Sequence, residues 1–241
     1  MNVAFVAGAT GHTGRVVVDT LLARGATTVA HVRPDSSSLA DWKARWEAAG
    51  AVVDTTAWEA DAMADRLRAL APTHVFALLG TTRKRASREG MGATDAYERI
   101  DYGLTALLLR AAAECGSEPR FIYLSAAGLS AKTRNPYMRA RVRIEEALQE
   151  GALPFVSARP SFIVGERDEP RLGERWAAKV ADGALSVVGA LGAKRAAARY
   201  ASTDNATLGE ALVRIALHPS TPRRHIAESE TLRPDGSVSD R

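Results

Sequence analysis

Short apolar runs alternate with amphipathic segments along most of the chain. The apolar runs predict β-strands at 3–7, 27–33, 51–53, 73–79, 120–125, 154–160 and 225–228. Between them, apolar residues at helical spacing predict a first helix that ends at Gly25. The same spacing predicts helices at 38–50, 60–70, 95–115, 136–149, 174–181 and 205–217, the first of these with Ser38 as its cap. A helix that connects two parallel strands forms a right-handed crossover, so the pattern predicts an α/β fold with a doubly wound parallel sheet.

The length of the chain and the weakening of this alternation towards its C-terminal part predict the domain organisation. A chain of 241 residues is long enough for one domain with a sizeable core, so residues 1–241 are expected to form a single domain. Beyond the sixth strand the alternation weakens. Residues 161–232 are therefore expected to contribute a small C-terminal segment on the substrate side.

Composition excludes several classes of protein. The chain is 46% hydrophobic and 25% charged, with a formal charge of +4, which is ordinary for a globular protein. Its single cysteine excludes an internal disulfide, and its five scattered histidines predict no metal site. The sequence shows neither a secretory signal pattern nor an apolar stretch of membrane-spanning length, so we expect a cytoplasmic protein without a membrane partner.

Basic residues cluster at 83–85 and between 134 and 143. No recognised nucleic-acid-binding motif accompanies either cluster, so we expect no nucleic-acid partner. These clusters are interpreted as solvated faces or as contacts to an anionic cofactor.

A glycine-rich turn follows the first strand directly. Gly8, Gly11 and Gly14 are spaced three apart and lead into a helix, an arrangement in which the backbone can approach a diphosphate and the helix start offers unpaired N–H groups. A nucleoside-triphosphate loop would need Lys and then Ser or Thr after the last glycine, whereas Arg15 and Val16 stand there. The turn therefore predicts a dinucleotide site, and the alternative is a tight turn needed for packing alone.

The end of the second strand predicts which dinucleotide binds. An acidic residue at this point would contact the adenosine ribose and repel a 2′-phosphate, but this chain has Arg33 there. A guanidinium suits a phosphate by charge and by geometry. NADP(H) is therefore predicted over NAD(H), with an ordinary surface arginine as the alternative.

Three residues are candidates for proton chemistry. Ser125 ends the fifth strand, at the carboxyl edge where parallel sheets bind ligands. Tyr137 opens the next helix, and Arg141 lies one turn further along the same face. A phenol beside a fixed cation can exchange a proton with a carbonyl or an alcohol, while a serine can hold the reacting oxygen. The alternative is a packed tyrosine beside an exposed arginine.

These motifs resemble the short-chain dehydrogenase/reductase superfamily, in its atypical branch of Rossmann proteins. Further segments at 79–83, 100–108, 124–126, 159–161 and 169–174 are similar to the Tat-interacting, oxidoreductase-like proteins of that branch. The resemblance extends over about residues 2–216. It implies that NADP(H) lies across the strand ends and that Tyr137 is the acid/base.

The resemblance also implies a set of cofactor contacts and three departures from the family pattern. The implied cofactor contacts are Gly8, Thr10, Gly11, His12, Thr13, Gly14, Arg33, Asp54, Leu79, Gly80, Thr81, Tyr137, Arg141, Pro160, Ser161 and Ile163. Arg141 stands where the family has lysine, Asp101 where many reductases have asparagine, and Ala126 where relatives often have a second serine. Arginine supplies charge and hydrogen bonds but does not readily release a proton, so we expect binding to survive better than turnover.

The leading hypothesis is an NADP(H)-dependent oxidoreductase that acts on a small carbonyl or alcohol. Two alternatives stay open. One is a non-catalytic NADP(H)-binding redox sensor or interaction protein, and the other is an epimerase or isomerase that uses the same cofactor internally. The long helices at 95–115 and 135–149 could also pair in a homodimer, although their apolar faces are equally explained by packing on the sheet.

Overall fold

The protein is built around a seven-stranded parallel sheet. The structure is a computed structural model that describes residues 2–81, 86–87, 90–161, 163–164, 203–234 and 236. The strands are β1 (Val3–Ala7), β2 (Thr27–His31), β3 (Val52–Asp54), β4 (His74–Ala77), β5 (Arg120–Leu124), β6 (Phe155–Arg159), β7 (Ile163–Val164), β8 (Thr203–Asp204) and β9 (Arg224–Glu228). The sheet order is β3-β2-β1-β4-β5-β6-β9, and β7 pairs with β8 separately.

Helices connect successive strands and cover both faces of the sheet. They are α1 (His12–Ala23), α2 (Leu39–Ala48), α3 (Ala60–Leu70), α4 (Ala93–Ala96), a π-helical segment (Tyr97–Leu104), α5 (Thr105–Glu114), α6 (Pro136–Glu150) and α7 (Asn205–Leu217). The π segment continues α4 and leads directly into α5. The single helix predicted at 95–115 is thus present but contains eight residues in a wider helical form.

Two hydrophobic cores follow from the two-residue period of the strands. Ala4 and Val6 of β1 face one core, where α1, α2 and α7 pack, while Phe5 and Ala7 face the other, which holds α3, α5 and α6. Helices therefore cover both faces, and the prediction of a doubly wound parallel sheet is confirmed. All seven predicted strands are present within one sheet.

Some boundaries differ from the predictions for local reasons. The second strand ends at His31 rather than at 33, because its partner β3 ends at Asp54 and pairing stops there. Ser38 makes no side-chain cap on α2, so that prediction is wrong; its backbone lies outside the extended region, with φ −108° and ψ 22°. The predicted helix at 174–181 and most of the segment at 161–232 lie outside the described residues.

Candidate functional site

The strand order places a crevice next to β1. From β1 the chain runs outward through β2 to β3, and it then returns to β4 on the other side of β1. Helices after β1 and β4 leave on opposite faces of the sheet, so their loops separate at the carboxyl edge. Open α/β sheets bind ligands at such a switch point.

The glycine turn after β1 is packed so tightly that side chains are excluded. Gly8 has φ +80°, in the left-handed region that favours glycine, and a Cβ there would overlap the carbonyl oxygen of Leu78 and lie 2.7 Å from its carbonyl carbon. A Cβ on Gly14 would overlap the Gly8 oxygen and lie 2.9 Å from the Ala9 Cα. The turn therefore rests against β4 and against the first turn of α1 without intervening atoms.

The start of α1 fits a dinucleotide diphosphate. Its N-cap is Gly11, which has no side chain to satisfy the first N–H groups, and the first turn of the helix contains no acidic residue. The Thr13 hydroxyl donates to Asn205 Oδ1 at 3.1 Å, which joins the turn to the beginning of α7. A backbone cradle with a positive helix end is what a diphosphate needs, so these residues fit the cofactor predicted from the sequence.

Arg15 braces this turn, and sequence reasoning did not single it out as a site residue. Its Nε donates to the Thr10 carbonyl at 2.9 Å, and its guanidinium carbon lies 4.7 Å from the Trp42 ring centroid. The side chain thus holds Thr10 and joins the turn to α2. The spacing of five residues between Thr10 and Arg15 gives no periodic signal that could have indicated this contact.

Arg33 and Asp54 follow or end the strands on the β3 side of the crevice. The Arg33 side chain is 41% exposed and lies 3.7 Å from Asp35, and its predicted contact with a 2′-phosphate stays a prediction. Asp54 is buried, with one carboxylate oxygen 2.5 Å from Arg66 Nε and the other accepting the Thr56 N–H at 3.1 Å. Both Asp54 oxygens are already engaged, and its predicted adenine contact stays a prediction.

On the β5 side, a chain of contacts runs from the end of β4 to α6. Asp101, in the π segment, accepts the Thr81 N–H through Oδ2 at 3.0 Å and pairs with Arg141 Nη1 through Oδ1 at 3.0 Å. Both charged groups are buried. Burial raises the pKa of the Asp101 carboxyl, and the Arg141 charge offsets this only in part.

Arg141 remains charged in this setting. Burial lowers its pKa, but the surrounding Tyr137, Tyr123 and Asp101 outweigh this and raise the pKa above its ordinary value. Its buried Nε has no hydrogen-bond partner among the described residues. The cation is therefore permanent, and its Nη1 donates to Asp101 Oδ1 at 3.0 Å and to the Tyr137 carbonyl at 3.4 Å.

Two neighbours hold the ring of Tyr137. The Arg141 guanidinium carbon lies 3.6 Å from the ring centroid, in a cation–π contact. Tyr97, on the π segment, meets the same ring edge-on at a centroid distance of 5.5 Å. The sequence pairing of Tyr137 with Arg141 is thus confirmed as a contact, although the cation contacts the face of the ring. The alternative of an exposed arginine is wrong, because Arg141 is buried.

Ser125 is engaged by a carboxylate that sequence reasoning missed. Its hydroxyl donates to Glu145 Oε1 at 2.6 Å, and the same oxygen accepts the Ser157 hydroxyl at 2.7 Å. Arg159 Nη2 donates to Glu145 Oε2 at 2.5 Å. Burial alone would raise the pKa of Glu145, but hydrogen bonds from Arg159, Ser125 and Ser157 outweigh it and hold that pKa below its usual value.

Glu145 could have been found from helical spacing. Tyr137, Arg141 and Glu145 are each four residues apart and therefore lie along one face of α6. Because the Ser125 hydroxyl donates its hydrogen to Glu145, it can act towards a substrate only as an acceptor. Its predicted role in orienting substrate stays a prediction, with the hydroxyl acting as an acceptor.

The remaining predicted contacts follow β6. Pro160 is buried, its carbonyl accepts the Ala127 N–H at 2.9 Å, and Ser161 is half-buried. Ile163 lies in β7, whose backbone pairs with β8 at Thr203. Near β4, Leu79 is half-buried and Gly80 exposed. The structure therefore places these residues on the carboxyl side of the sheet.

Among the residues that the structure describes, no helix is long and apolar enough to cross a membrane. Within that same part of the chain, no group of three histidine, cysteine, aspartate or glutamate side chains is placed to hold a metal ion.

Comparisons with known proteins agree with this geometry. Residues 8–187 match a family described as NAD(P)H-binding. Protein fmp52, mitochondrial, of Aspergillus clavatus is 32% identical over 183 residues, which cover 72% of this chain and 71% of that protein. The corresponding protein of Lodderomyces elongisporus is 31% identical over 111 residues, or 45% of this chain, and the match covers only 44% of its length.

Solved structures show the same fold at low sequence identity. A putative NAD-dependent epimerase/dehydratase from Bacillus halodurans superposes with a TM-score of 0.64 at 14% identity, covering 95% of this chain and 97% of that one. The anaerobilin reductase ChuY of Escherichia coli O157:H7 gives 0.61 at 15% identity, with coverage of 97% and 98%. A UDP-glucose 4-epimerase from Brucella ovis in complex with NAD gives 0.65 at 16%, with coverage of 95% and 77%.

The comparisons correct one expectation and leave another untested. The prediction of a cytoplasmic protein is wrong, because the fungal relatives are named mitochondrial proteins; secretory and membrane signals, on which it rested, do not distinguish these two compartments. Resemblance to the Tat-interacting branch stays a prediction. The glycine cradle, the sheet topology and the matched family agree: the chain belongs to the NAD(P)H-binding family and has a Rossmann fold.

Proposed function

We propose that the protein is an NADP(H)-dependent oxidoreductase that acts on a small carbonyl or alcohol. The observation that carries the proposal is the set of contacts joining Thr81, Asp101, Arg141 and Tyr137 beside the switch point. It places a phenol and a buried cation on the β5 side of the glycine cradle. The bound nicotinamide would supply or accept the hydride.

The chain's own residues would handle the proton. Tyr137 would give its hydroxyl proton to a carbonyl substrate or take one from an alcohol. Arg141, charged and held against the ring face, fixes the orientation of the phenol. Ser125, whose hydrogen is donated to Glu145, would accept a hydrogen bond from a substrate hydroxyl.

Two observations favour a non-catalytic NADP(H)-binding protein as the second candidate. Arg141 is directed at Asp101 and at the face of the Tyr137 ring, and Ser125 has no hydrogen left to donate to a carbonyl. The similarity in fold to an epimerase supports the third possibility, an enzyme that uses the cofactor internally, and the same assays test it. The names of the fungal relatives favour a mitochondrial place of action.

Cofactor choice is tested first. NADPH and NADH affinities are measured by fluorescence for the wild type and for Arg33→Ala. We expect the NADPH Kd to rise about tenfold in the variant, from the loss of one charge-assisted phosphate contact, with little change for NADH. Arg24→Ala is the matched control, because Arg24 is exposed at the opposite end of α1. Equal affinity of the wild type for NADPH and NADH would refute the preference.

Turnover is tested next, by following NADPH consumption against a panel of carbonyl compounds. Tyr137→Phe should leave the NADPH Kd within twofold and lower kcat by about a hundredfold or more, since it removes only the proton donor. Tight NADPH binding without consumption, unaltered by Tyr137→Phe, would refute the oxidoreductase and favour the sensor.

A further inference from the structure

Asp101 joins two parts of the site that are distant in the sequence. Its carboxylate accepts the Thr81 N–H, 20 residues before it, and binds Arg141, 40 residues after it, both at 3.0 Å. The residue is 1% exposed, so water does not compete for either contact. One side chain therefore ties the backbone after β4 to the helix that carries Tyr137.

Gly80, which has no side chain, packs its backbone against this ion pair. Gly80 is exposed, and a Cβ placed on it would lie 3.5 Å from Asp101 Oδ1 and 3.7 Å from Arg141 Nη2. A ligand that rests on the Gly80 backbone would thus have the pair directly behind that glycine. Displacement of the carboxylate would move the surface that the ligand contacts.

We propose that Asp101 is a positioning residue for the bound cofactor, fixing the Gly80–Thr81 backbone and the Arg141 guanidinium together. The inference rests on the proposed function, in which NADP(H) lies across the carboxyl edge at β4. Asp101 does not touch the reacting atoms. It makes the cofactor surface and the acid/base helix one rigid unit.

Two substitutions disturb this bridge in different ways. Asp101→Asn keeps the size and one acceptor but removes the charge that balances the buried Arg141, which leaves an uncompensated cation. Asp101→Glu keeps the charge, but its extra methylene group moves the carboxylate, so that it cannot serve Thr81 and Arg141 at their present positions. If both variants weaken cofactor binding, the position of the carboxylate matters, because Asp101→Glu keeps its charge.

The matched control is Glu98→Gln. Glu98 lies on the same π segment and pairs with Arg143 on the same helix α6, at 2.6 Å, but this pair is exposed and does not contact Thr81. A surface ion pair of this kind contributes little to stability. The control therefore reports any general effect of loosening the π segment from α6.

The experiment measures the NADPH Kd by fluorescence and hydrogen exchange of the peptide containing Gly80 and Thr81. Both Asp101 variants should raise the Kd at least tenfold and accelerate exchange in that peptide, while the strands of the sheet keep their protection. Glu98→Gln should change neither the Kd nor the exchange. A wild-type Kd in both variants would overturn the inference, as would equal acceleration throughout the sheet. Failure of the wild type to bind NADPH would instead refute the proposed function, so the two failures are distinguishable.

Discussion

The glycine turn offers the sharpest quantitative prediction, through Gly14→Ala. The new Cβ would overlap the Gly8 carbonyl oxygen and lie 2.9 Å from both the Ala9 Cα and the Ala9 carbonyl oxygen. Carbon atoms normally approach to about 3.5–4.0 Å, and these backbone atoms cannot rotate away. The turn must therefore open to accept the methyl group.

The expected size follows from overpacking, which costs about 1–3 kcal/mol in a tightly packed site. If cofactor binding requires the closed turn, the same free energy is subtracted from binding, and the NADPH Kd rises about 5-fold to 150-fold. Gly11→Ala should have a smaller effect, because within the described part of the chain its Cβ would meet only the Gly8 oxygen, at 3.2 Å.

Gly25→Ala is the control for this series. Gly25 has φ +71°, but no heavy atom of the described residues lies within 4 Å of its Cβ position, so the substitution costs only the left-handed backbone energy of about 1–2 kcal/mol. It should lower Tm without altering the NADPH Kd. The assays are fluorescence titration and thermal unfolding. A Gly14→Ala protein with wild-type Kd and wild-type Tm would refute the packing argument.

Two further predictions concern stability. The pKa of Glu145 is held low in the folded protein, so its stabilising contribution is present above its ordinary pKa and is lost as pH falls through the folded value. Glu145→Gln should therefore be less stable than wild type at pH 7, with a difference that shrinks under acid in urea unfolding; a difference independent of pH would contradict this. Asn135 caps α6 by accepting the Tyr137 N–H at 3.0 Å, so Asn135→Ala should cost about 0.5–2 kcal/mol in the same assay, and an unchanged unfolding midpoint would contradict it.

Helix caps show where local reasoning succeeds and where it fails. Ser38 has a favourable residue type and position, yet the backbone enters α2 through a turn that leaves its hydroxyl without a capping contact. Asn135 and Asp204 do cap α6 and α7, and both are residue types that the same rules favour. Residue type therefore indicates candidates, but the path of the chain before the helix selects among them.

Part of the candidate site could likewise be predicted from the sequence, and part could not. Gly8, Gly11 and Gly14 could be identified from the sequence, because a steric requirement on the backbone is local and leaves its mark at fixed spacing. The contact of Tyr137 with Arg141 also follows from helical period. The sequence could not predict that Arg141 contacts the face of the Tyr137 ring. Asp101 and Tyr97, which also contact these two side chains, come from another element of the fold.

The sequence by itself determined the seven strands of the parallel doubly wound sheet and the glycine cradle, since these depend on apolar periodicity and on sterics within a few residues. Only the tertiary structure decided that Asp101 bridges Thr81 and Arg141, and that Glu145 takes the hydrogen of Ser125. Those contacts join residues 20 or 40 positions apart. They exist because strands and helices that are separate in the chain bury polar groups in one place, where each must find a partner.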